Sequence, residues 1–339
     1  MKIGIFSIPE GNERTVISAC QERGVDYCTI NLLADDWLEQ FLQSPCDGYI
    51  IRAPAGMSIW RQIFYKRLLL LRESLDGRCV PTVDSLLYYE SKISMADVCA
   101  IHGLSCVNTK VFFKYTEAIA YANAAKLPVV IKADGGSGGN CVAIIRSRVR
   151  LKWQVFRAFF IRNILRDVSI TEFFKGKIRP FRTFLNSGYF PIQESNEGYI
   201  LFQDYIDANH EWRMVVLGNS YFGHKKLKKK IKGKFSGSGK AAWDDPPKEL
   251  LDLIRHCANI LQVNSMGFDV LEDKNGHYYL NEMQAIIGAH APSQMYINGI
   301  PGRYRCHDGE WIFEEGEFCR HKCDLLRVET LLEMLNTNR

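Results

Sequence analysis

"SMGFDVLEDKNGHYYLNEMQ", residues 265–284, sets three oxygen-bearing side chains among residues that belong in a core. Apolar and polar positions alternate on both sides of "DKNG", so the stretch reads as an antiparallel hairpin. Asp269 lies on its first strand. Glu282 and Gln284 are two apart on the second, share a face, and the return can bring Asp269 beside them. Phe268, Val270, Leu280 and Met283 interleave with the acids. A carboxylate among core residues is costly without a partner, so plain exposed strand acids fit these neighbours badly. Hard oxygen donors on a rigid hairpin suit Mg²⁺ where the ion must also hold substrate phosphates.

Upstream, "LPVVIKADGGSGGNCVAII" (127–145) forms a second hairpin. Lys132 ends its first strand, and Gly135, Gly136, Ser137, Gly138 and Gly139 follow at once. Such glycines let backbone N–H groups approach phosphate oxygens, and a strand-anchored lysine adds the cation. A flexible turn beside a solvated lysine has the same sequence, so the loop alone does not choose. Between the two hairpins, "ILFQDYIDANHEWRMVVLG" (200–218) runs from an apolar strand through a loop to Glu211, two residues before Arg213, and on into another apolar strand.

Before residue 84, apolar runs of strand length alternate with helical patterns: "KIGIFS", "VDYCTIN" and "CDGYIIRAP" as strands, with a long helix through "IWRQIFYKRLLLLRESL". That alternation predicts a small parallel sheet resembling half of a doubly wound domain. It lacks GxGxxG and is not read as a dinucleotide site. Two short helices divided near Lys92 follow, then a strand "KVFF", a helix "TEAIAYANAAK" and the glycine hairpin. In the last third, strands joined by hairpins predict an antiparallel sheet with helices on one face. The predicted units are 1–83, 84–206 with the hairpin 127–145 as a lid, and 207–339.

The order of these motifs resembles the ATP-grasp superfamily over residues 84 to about 290, with the opening module similar to the domain that precedes it. The resemblance implies an α/β (α+β) chain: a small parallel N-terminal domain, then two α+β subdomains that clamp ATP between them. Within the superfamily the likeness is to carboxylate–amine ligases, among them those that add glutamate to a ribosomal protein and, more distantly, glutathione synthetase and D-alanine–D-alanine ligase. It makes Lys92 and Lys132 the phosphate-contacting lysines and "GGSGG" the closing loop. Asp204, Tyr205 and Ile206 become the hinge whose backbone reads adenine, and Glu211 the acid that holds the ribose. Asp269, Glu282 and Gln284 become the ligands for one or two Mg²⁺, with Mn²⁺ an admissible substitute. Two positions depart from the family pattern. Gln284 stands where Asn is usual, and "AIIGAHAP", with His290, replaces a small-residue–Pro–Gly turn.

The implied reaction moves the terminal phosphate of ATP to a carboxylate; an amine then displaces phosphate from the acylphosphate. Catalysis of this kind is positioning and charge neutralisation, with no serine, cysteine or histidine nucleophile. Arg213 is the expected grip on the acylphosphate or the incoming acid. Formal net charge is +5, concentrated in "HKKLKKKIKGK" (224–234), which suits a solvated surface or an electrostatic funnel for an anionic acceptor such as a cell-envelope saccharide, amino acid or peptide. Lys225 and Lys240 are the cations expected to reach the site. The same lysines leave open a kinase on the same scaffold, acting on a sugar or inositol phosphate. Aromatics are not interleaved with them, which argues against nucleic acid.

The remaining features exclude more than they assign. No apolar run approaches a bilayer span, and "MKIGIFSIPEGNE" is too short in its apolar part for a secretory signal, so a cytoplasmic protein is expected. Eleven cysteines without a CxxC pair fit free thiols; Cys319, His321 and Cys323 lack a second pair of metal ligands. The helix "RVRLKWQVFRAFFIRNILR" alternates basic and aromatic residues, and its packing on the lid is preferred to a membrane-surface role. "CDLLRVETLLEML" is expected to cap a core rather than to pair with another subunit, although a homo-oligomer is compatible with the sequence.

Overall fold

The computed structural model describes residues 1–8, 13–54, 58–135, 142–160, 198–208, 210–227, 241–287 and 293–337. The opening segment alternates strand and helix: β1 (Lys2–Ser7), α1 (Arg14–Glu22), β2 (Asp26–Asn31), α2 (Trp37–Gln43), β3 (Gly48–Ile51), α3 (Ser58–Leu70), α4 (Arg72–Leu75) and β4 (Cys79–Val80). All four strands pair parallel, in the order β2-β1-β3-β4. A parallel sheet must be covered on both faces. One face of this sheet packs Phe6, Tyr49 and Ile51 with Phe64 and Leu68 of α3. The other packs Ile3, Ile5 and Ile50 with Val16 and Ala19 of α1.

After a 3₁₀ turn at Asp84–Leu87 comes α5 (Lys92–Ile101), capped by Ser91, whose hydroxyl accepts from the Ser94 N–H at 3.2 Å. A second sheet then forms from β5 (Thr109–Phe112), β6 (Val129–Lys132), β7 (Val142–Ile145) and β8 (Ile200–Asp204), with α6 (Tyr115–Ala124) and α7 (Arg148–Phe160) packed against it. It is antiparallel, in the order β5-β8-β6-β7. The third sheet is the largest: β9 (His210–Leu217), β10 (Ser220–Leu227), β11 (Ala241–Ala242), β12 (Ser265–Glu272), β13 (Tyr278–Gln284), β14 (Met295–Ile297), β15 (Ile300–His307) and β16 (Glu310–Glu315), with α8 (Lys248–Ile260) beside it. Its path is β13-β12-β9-β10-β15-β14, with β11 added to β10 and β16 to β15, all antiparallel.

The fold class matches the expectation: a small parallel domain followed by two α+β units. Two regions group differently from the sequence-based division. Tyr88, Tyr89, Met95, Val98 and Cys99, placed with the lid by sequence order, share a core with Trp212, Phe268 and Leu280 of the large sheet. The small sheet therefore spans Thr109 to Asp204. The last helix, α9 (Asp324–Thr337), bridges two sheets: Leu326 packs with Val215, Leu217 and Phe222 of the large sheet. Leu325, Val328, Leu331 and Leu335 close the open face of the first parallel sheet, so the helix caps a core as its pattern predicts. Strands β14 to β16 are not among the elements expected from the sequence, although the two-residue turn Asp308-Gly309 between β15 and β16 is a hairpin signal.

Candidate active site

Strand pairing lines up one lateral row across four neighbouring strands. Glu282 of β13 is opposite Asp269 of β12, Asp269 is opposite Arg213 of β9, and Arg213 is opposite His224 of β10. Cross-strand partners sit side by side on one face, so the register alone gathers two acids, a guanidinium and an imidazole. Arg213 Nη2 donates to Asp269 Oδ2 at 3.0 Å and Nη1 to Gln284 Oε1 at 2.9 Å. The Gln284 amide in turn donates to Glu282 at 3.1 Å.

A β-bulge deepens the cluster. The β12–β13 register shifts between Asp269 and Val270, leaving Asn281 as the extra residue beside Glu282. An extra residue on one strand re-aims a side chain, and here it turns Asn281 toward the site as well. Its Nδ2 donates to Glu211 at 2.7 Å, and its Oδ1 accepts from Lys132 Nζ at 2.7 Å. Lys132 belongs to the small sheet, so this contact is where the two sheets meet over the site. Lys92 Nζ donates to the Asp134 carbonyl at 3.0 Å, just beyond Lys132. The Asp134 carboxylate holds the start of α5, accepting from the Ile93 N–H at 2.8 Å and the Ser91 hydroxyl at 3.2 Å.

The three residues expected to form a hinge start at the last residue of β8. The Asp204 N–H donates to the Asn108 carbonyl at 3.0 Å, Tyr205 faces Arg146 at 5.8 Å, and Ile206 packs with Val107, Ala208 and Leu271. Nearby, Leu280 is tied into the same crossing: its N–H donates to the Ser105 carbonyl at 2.9 Å, and its carbonyl accepts from the Val107 N–H at 3.0 Å.

Burial and charge shape each group. Burial, reinforced by the Lys92 charge, lowers the Lys132 ammonium to about 8, against the pull of Glu282, Glu211 and Asp269. Burial raises the Asp269 carboxyl, but Arg213 and Lys226 outweigh it and hold the acid below its ordinary value. Burial pushes Glu211 upward despite Lys226, with Asp269 adding to the rise. His224, shielded by burial and facing Arg213 and Lys226, is lowered to about 4 and is a neutral imidazole near pH 7. Arg213 is held above its ordinary value: burial works against its charge, and Asp269 more than offsets that.

The donor chemistry fits a magnesium ion. Asp269 Oδ1 is buried beside Arg213 Nε as an ion pair, yet neither atom makes a hydrogen bond. A buried carboxylate oxygen without a donor is one that a cation satisfies. Among the described residues no three His, Cys, Asp or Glu side chains converge on one point. The ion would rest on two carboxylates, Asp269 and Glu282, with the Gln284 amide oxygen and substrate phosphates completing the shell, which is how Mg²⁺ is commonly held.

No protein-family model matches the chain. Among curated proteins it is 26% identical over 218 residues to the alpha-aminoadipate–LysW ligase LysX of Sulfurisphaera tokodaii, a match covering 63% of this chain and 65% of that protein. It is 23% identical over 283 residues to the LysX of Saccharolobus solfataricus, covering 82% and 90%. Among solved structures, N5-carboxyaminoimidazole synthase from Aspergillus clavatus, in complex with ADP and 5-aminoimidazole ribonucleotide, superposes with a TM-score of 0.56 at 8% identity, covering 90% of this chain and 81% of that one. The Staphylococcus aureus N5-carboxyaminoimidazole synthetase bound to ADP gives 0.55 at 12% identity, covering 97% and 77%. The chain has the ATP-grasp fold.

On this ATP-grasp scaffold Lys92, Lys132, Glu211, Arg213, Asp269, Glu282 and Gln284 lie in or beside one cluster, while Lys225 and Glu211 are placed differently from expectation. Lys225 does not reach the cluster. It is opposite Trp212, a core residue, lies over that ring at 4.8 Å, and pairs with Asp244 at 2.6 Å. Its neighbour Lys226 takes the place, donating to Glu211 at 3.0 Å and contacting Asp269. Glu211, assigned to the ribose by resemblance, is 1% exposed, with one oxygen held by Lys226 and the other by Asn281. Both oxygens of its carboxylate thus belong to the charge network. Gly136, Ser137, Gly138, Gly139, Lys240 and His290 lie outside the described residues, as does the lysine run beyond Leu227; Gly135 is described and half-buried. Among the described residues Cys319, Cys323 and His321 do not form a three-ligand cluster, and the His321 ring bonds Glu22 at 2.7 Å.

Lys226 carried a readable signal. Only Gly218 and Asn219 separate β9 from β10, with Gly218 at φ +53°, and a two-residue turn fixes the register of the strands it joins. Counting back from that turn puts Lys226 opposite Glu211 and Lys225 opposite the core. Asn281 carried no such signal, because a bulge leaves none in the alternation.

Proposed function

We propose that this ATP-grasp protein is an ATP- and Mg²⁺-dependent carboxylate–amine ligase that forms an amide through an acylphosphate. The observation that carries the reading is that Lys132 of the small sheet, with Lys92 of α5 close enough to act on its charge, meets Asn281 beside the Glu282–Asp269–Arg213 row of the large sheet. Cations from two elements facing carboxylates on a third make a clamp for a group that is itself anionic and metal-bound. Asp269 and Glu282 would hold the magnesium, whose charge would offset that of the phosphates. Lys132 and Lys92 would neutralise the phosphates from the opposite side. Arg213, fixed by Asp269 and Gln284, would offer its remaining N–H groups to the reacting carboxylate. His224, neutral and buried beside it, adds no charge that would repel the incoming amine.

Both curated relatives are named as ligases joining alpha-aminoadipate to LysW, and this supports carbon–nitrogen bond formation and an amino-acid or peptide acceptor over a saccharide. The lysine-rich sequence after β10 supports an anionic acceptor. Phosphorus NMR of the protein with Mg·ATP and a pool of amino acids, acidic sugars and phosphorylated sugars tests the reading. The expected products are ADP and inorganic phosphate, released only when both an acid and an amine are present. A new phosphate-ester signal without inorganic phosphate would make the protein a kinase instead.

A further inference from the structure

Helix α7 has two apolar faces. Leu151, Gln154, Val155 and Ala158 are buried, the apolar three against the small sheet. The opposite side carries Val149, Trp153, Phe156 and Phe160, exposed by 79%, 51%, 39% and 58%. At 100° per residue these four fall within roughly 40° of one line along the helix. They form a ladder: Trp153 stacks on Phe156 with centroids 5.7 Å apart, Phe156 is 5.0 Å from Phe160, and Phe160 meets Tyr115 edge-on at 5.0 Å. An exposed aromatic ladder of this length on a helix is a mark of something that covers it.

The charge around the ladder says what. Arg150 and Arg157 border it on one side and Lys152 on the other, while Arg148 is turned inward to the Ala122 and Ala125 carbonyls at 2.7 and 2.6 Å. From residue 135 through 166 the sequence holds Arg146, Arg148, Arg150, Lys152, Arg157, Arg162 and Arg166, and not one Asp or Glu. On neighbouring α6, Glu117 is paired with Lys114 at 3.4 Å. A second copy of the chain docked here about a two-fold axis would press these cations against each other. An aromatic stripe bordered on both sides by cations is the layout of a helix lying in the plane of an anionic bilayer interface, rings at the acyl boundary and cations on the headgroups.

We propose that α7 docks the small sheet on an anionic phospholipid surface, with Trp153, Phe156 and Phe160 entering the interface and Arg150, Lys152 and Arg157 meeting the headgroups. No helix among the described residues is long and apolar enough to cross a membrane, so the contact is peripheral. The proposal does not depend on the ligase reading.

Co-sedimentation of the full chain with vesicles of phosphatidylcholine alone, and with about a third replaced by phosphatidylglycerol, tests it. Binding is expected to the anionic vesicles only, weakening with salt, and with a blue shift of tryptophan emission that Trp153→Phe removes. Trp153→Ser with Phe156→Ser should lower the partition coefficient by roughly ten-fold or more. Lys152→Glu, an exposed change that leaves the packed face alone, should lower it by roughly five-fold or more. Thermal melting and ATP binding should be unchanged in both variants. Equal binding to both vesicles, or to neither, overturns the proposal. So does anionic binding that survives both α7 variants, which would assign it to the lysine run after β10. A concentration-dependent dimer that Trp153→Ser dissociates, without vesicle binding, would make the face a subunit contact.

Discussion

Two clusters of buried charge in this protein are finished to different degrees. The first joins α9 to the parallel domain. Asp324, fully buried, accepts from Thr15 Oγ1 at 2.5 Å and Arg327 Nη1 at 2.6 Å, with Arg52 at 3.4 Å, while Arg327 Nη2 caps the Ile287 carbonyl at 2.6 Å. Both Asp324 oxygens are satisfied by the chain itself. The second is the Glu282–Asp269–Arg213–His224 row, where Asp269 Oδ1 and Arg213 Nε remain without hydrogen bonds and a lysine ammonium is held by burial near a neutral pKa. A closed network is a latch. An open one, with its proton affinities displaced, is a place prepared for a ligand.

Lys132 gives the sharpest test of the difference. Lys132→Met should remove ATP-dependent turnover by about three orders of magnitude, as loss of a phosphate-neutralising cation does. It should also raise the thermal midpoint of the ligand-free protein by a few degrees. The folded-state pKa of about 8 lies below the ordinary lysine value of 10.5, so folding of the charged form is penalised at neutral pH. As pH rises from 8 toward 10.5 the folded state releases the proton first, and wild-type stability gains. The advantage of Lys132→Met over wild type is therefore greatest near pH 7 and shrinks toward pH 10, which melting curves across that range would check. A melting advantage that does not depend on pH would show that Lys132 is not the strained group.

The latch should answer in the opposite way. Asp324→Ala leaves Arg52 and Arg327 buried without their carboxylate and is expected to cost about 3–5 kcal/mol, read as a fall in the denaturation midpoint, while ATP affinity of the folded fraction holds. A third comparison sits within a single strand. Lys226→Ala should cut turnover by roughly 10²-fold, because it uncovers Glu211 and Asp269 together. Lys225→Ala removes an ion pair to an Asp244 side chain that is 54% exposed, worth about 0–1 kcal/mol, and should leave turnover near wild type. Equal loss in both would put the acceptor on the Lys225 side of the sheet. The smallest effect is expected from Gln284→Asn, a shift of a few-fold in the magnesium concentration for half-maximal activity. If that variant is inactive though folded, holding Arg213 is the role of Gln284, and metal ligation is not.

The strands and their faces were readable because alternation and turn length are local. Lys132 at a strand end, Asp269 beside Glu282 across "DKNG", and the parallel opening sheet all follow from periods of two to four residues and the turns between them. Lys226 followed as well, from the two-residue turn at Gly218, although position along the strand first drew attention to Lys225. Three other features needed the assembled molecule. Asn281 enters the site only through a bulge, which alternation does not announce. Lys132 meets Asn281 across 149 residues of sequence, and Thr15 meets Asp324 across 309, pairings set by how three sheets stack rather than by any local pattern. The displaced proton affinities of Lys132 and His224 belong to that stacking too, since burial is their largest cause and no stretch of sequence is buried by itself.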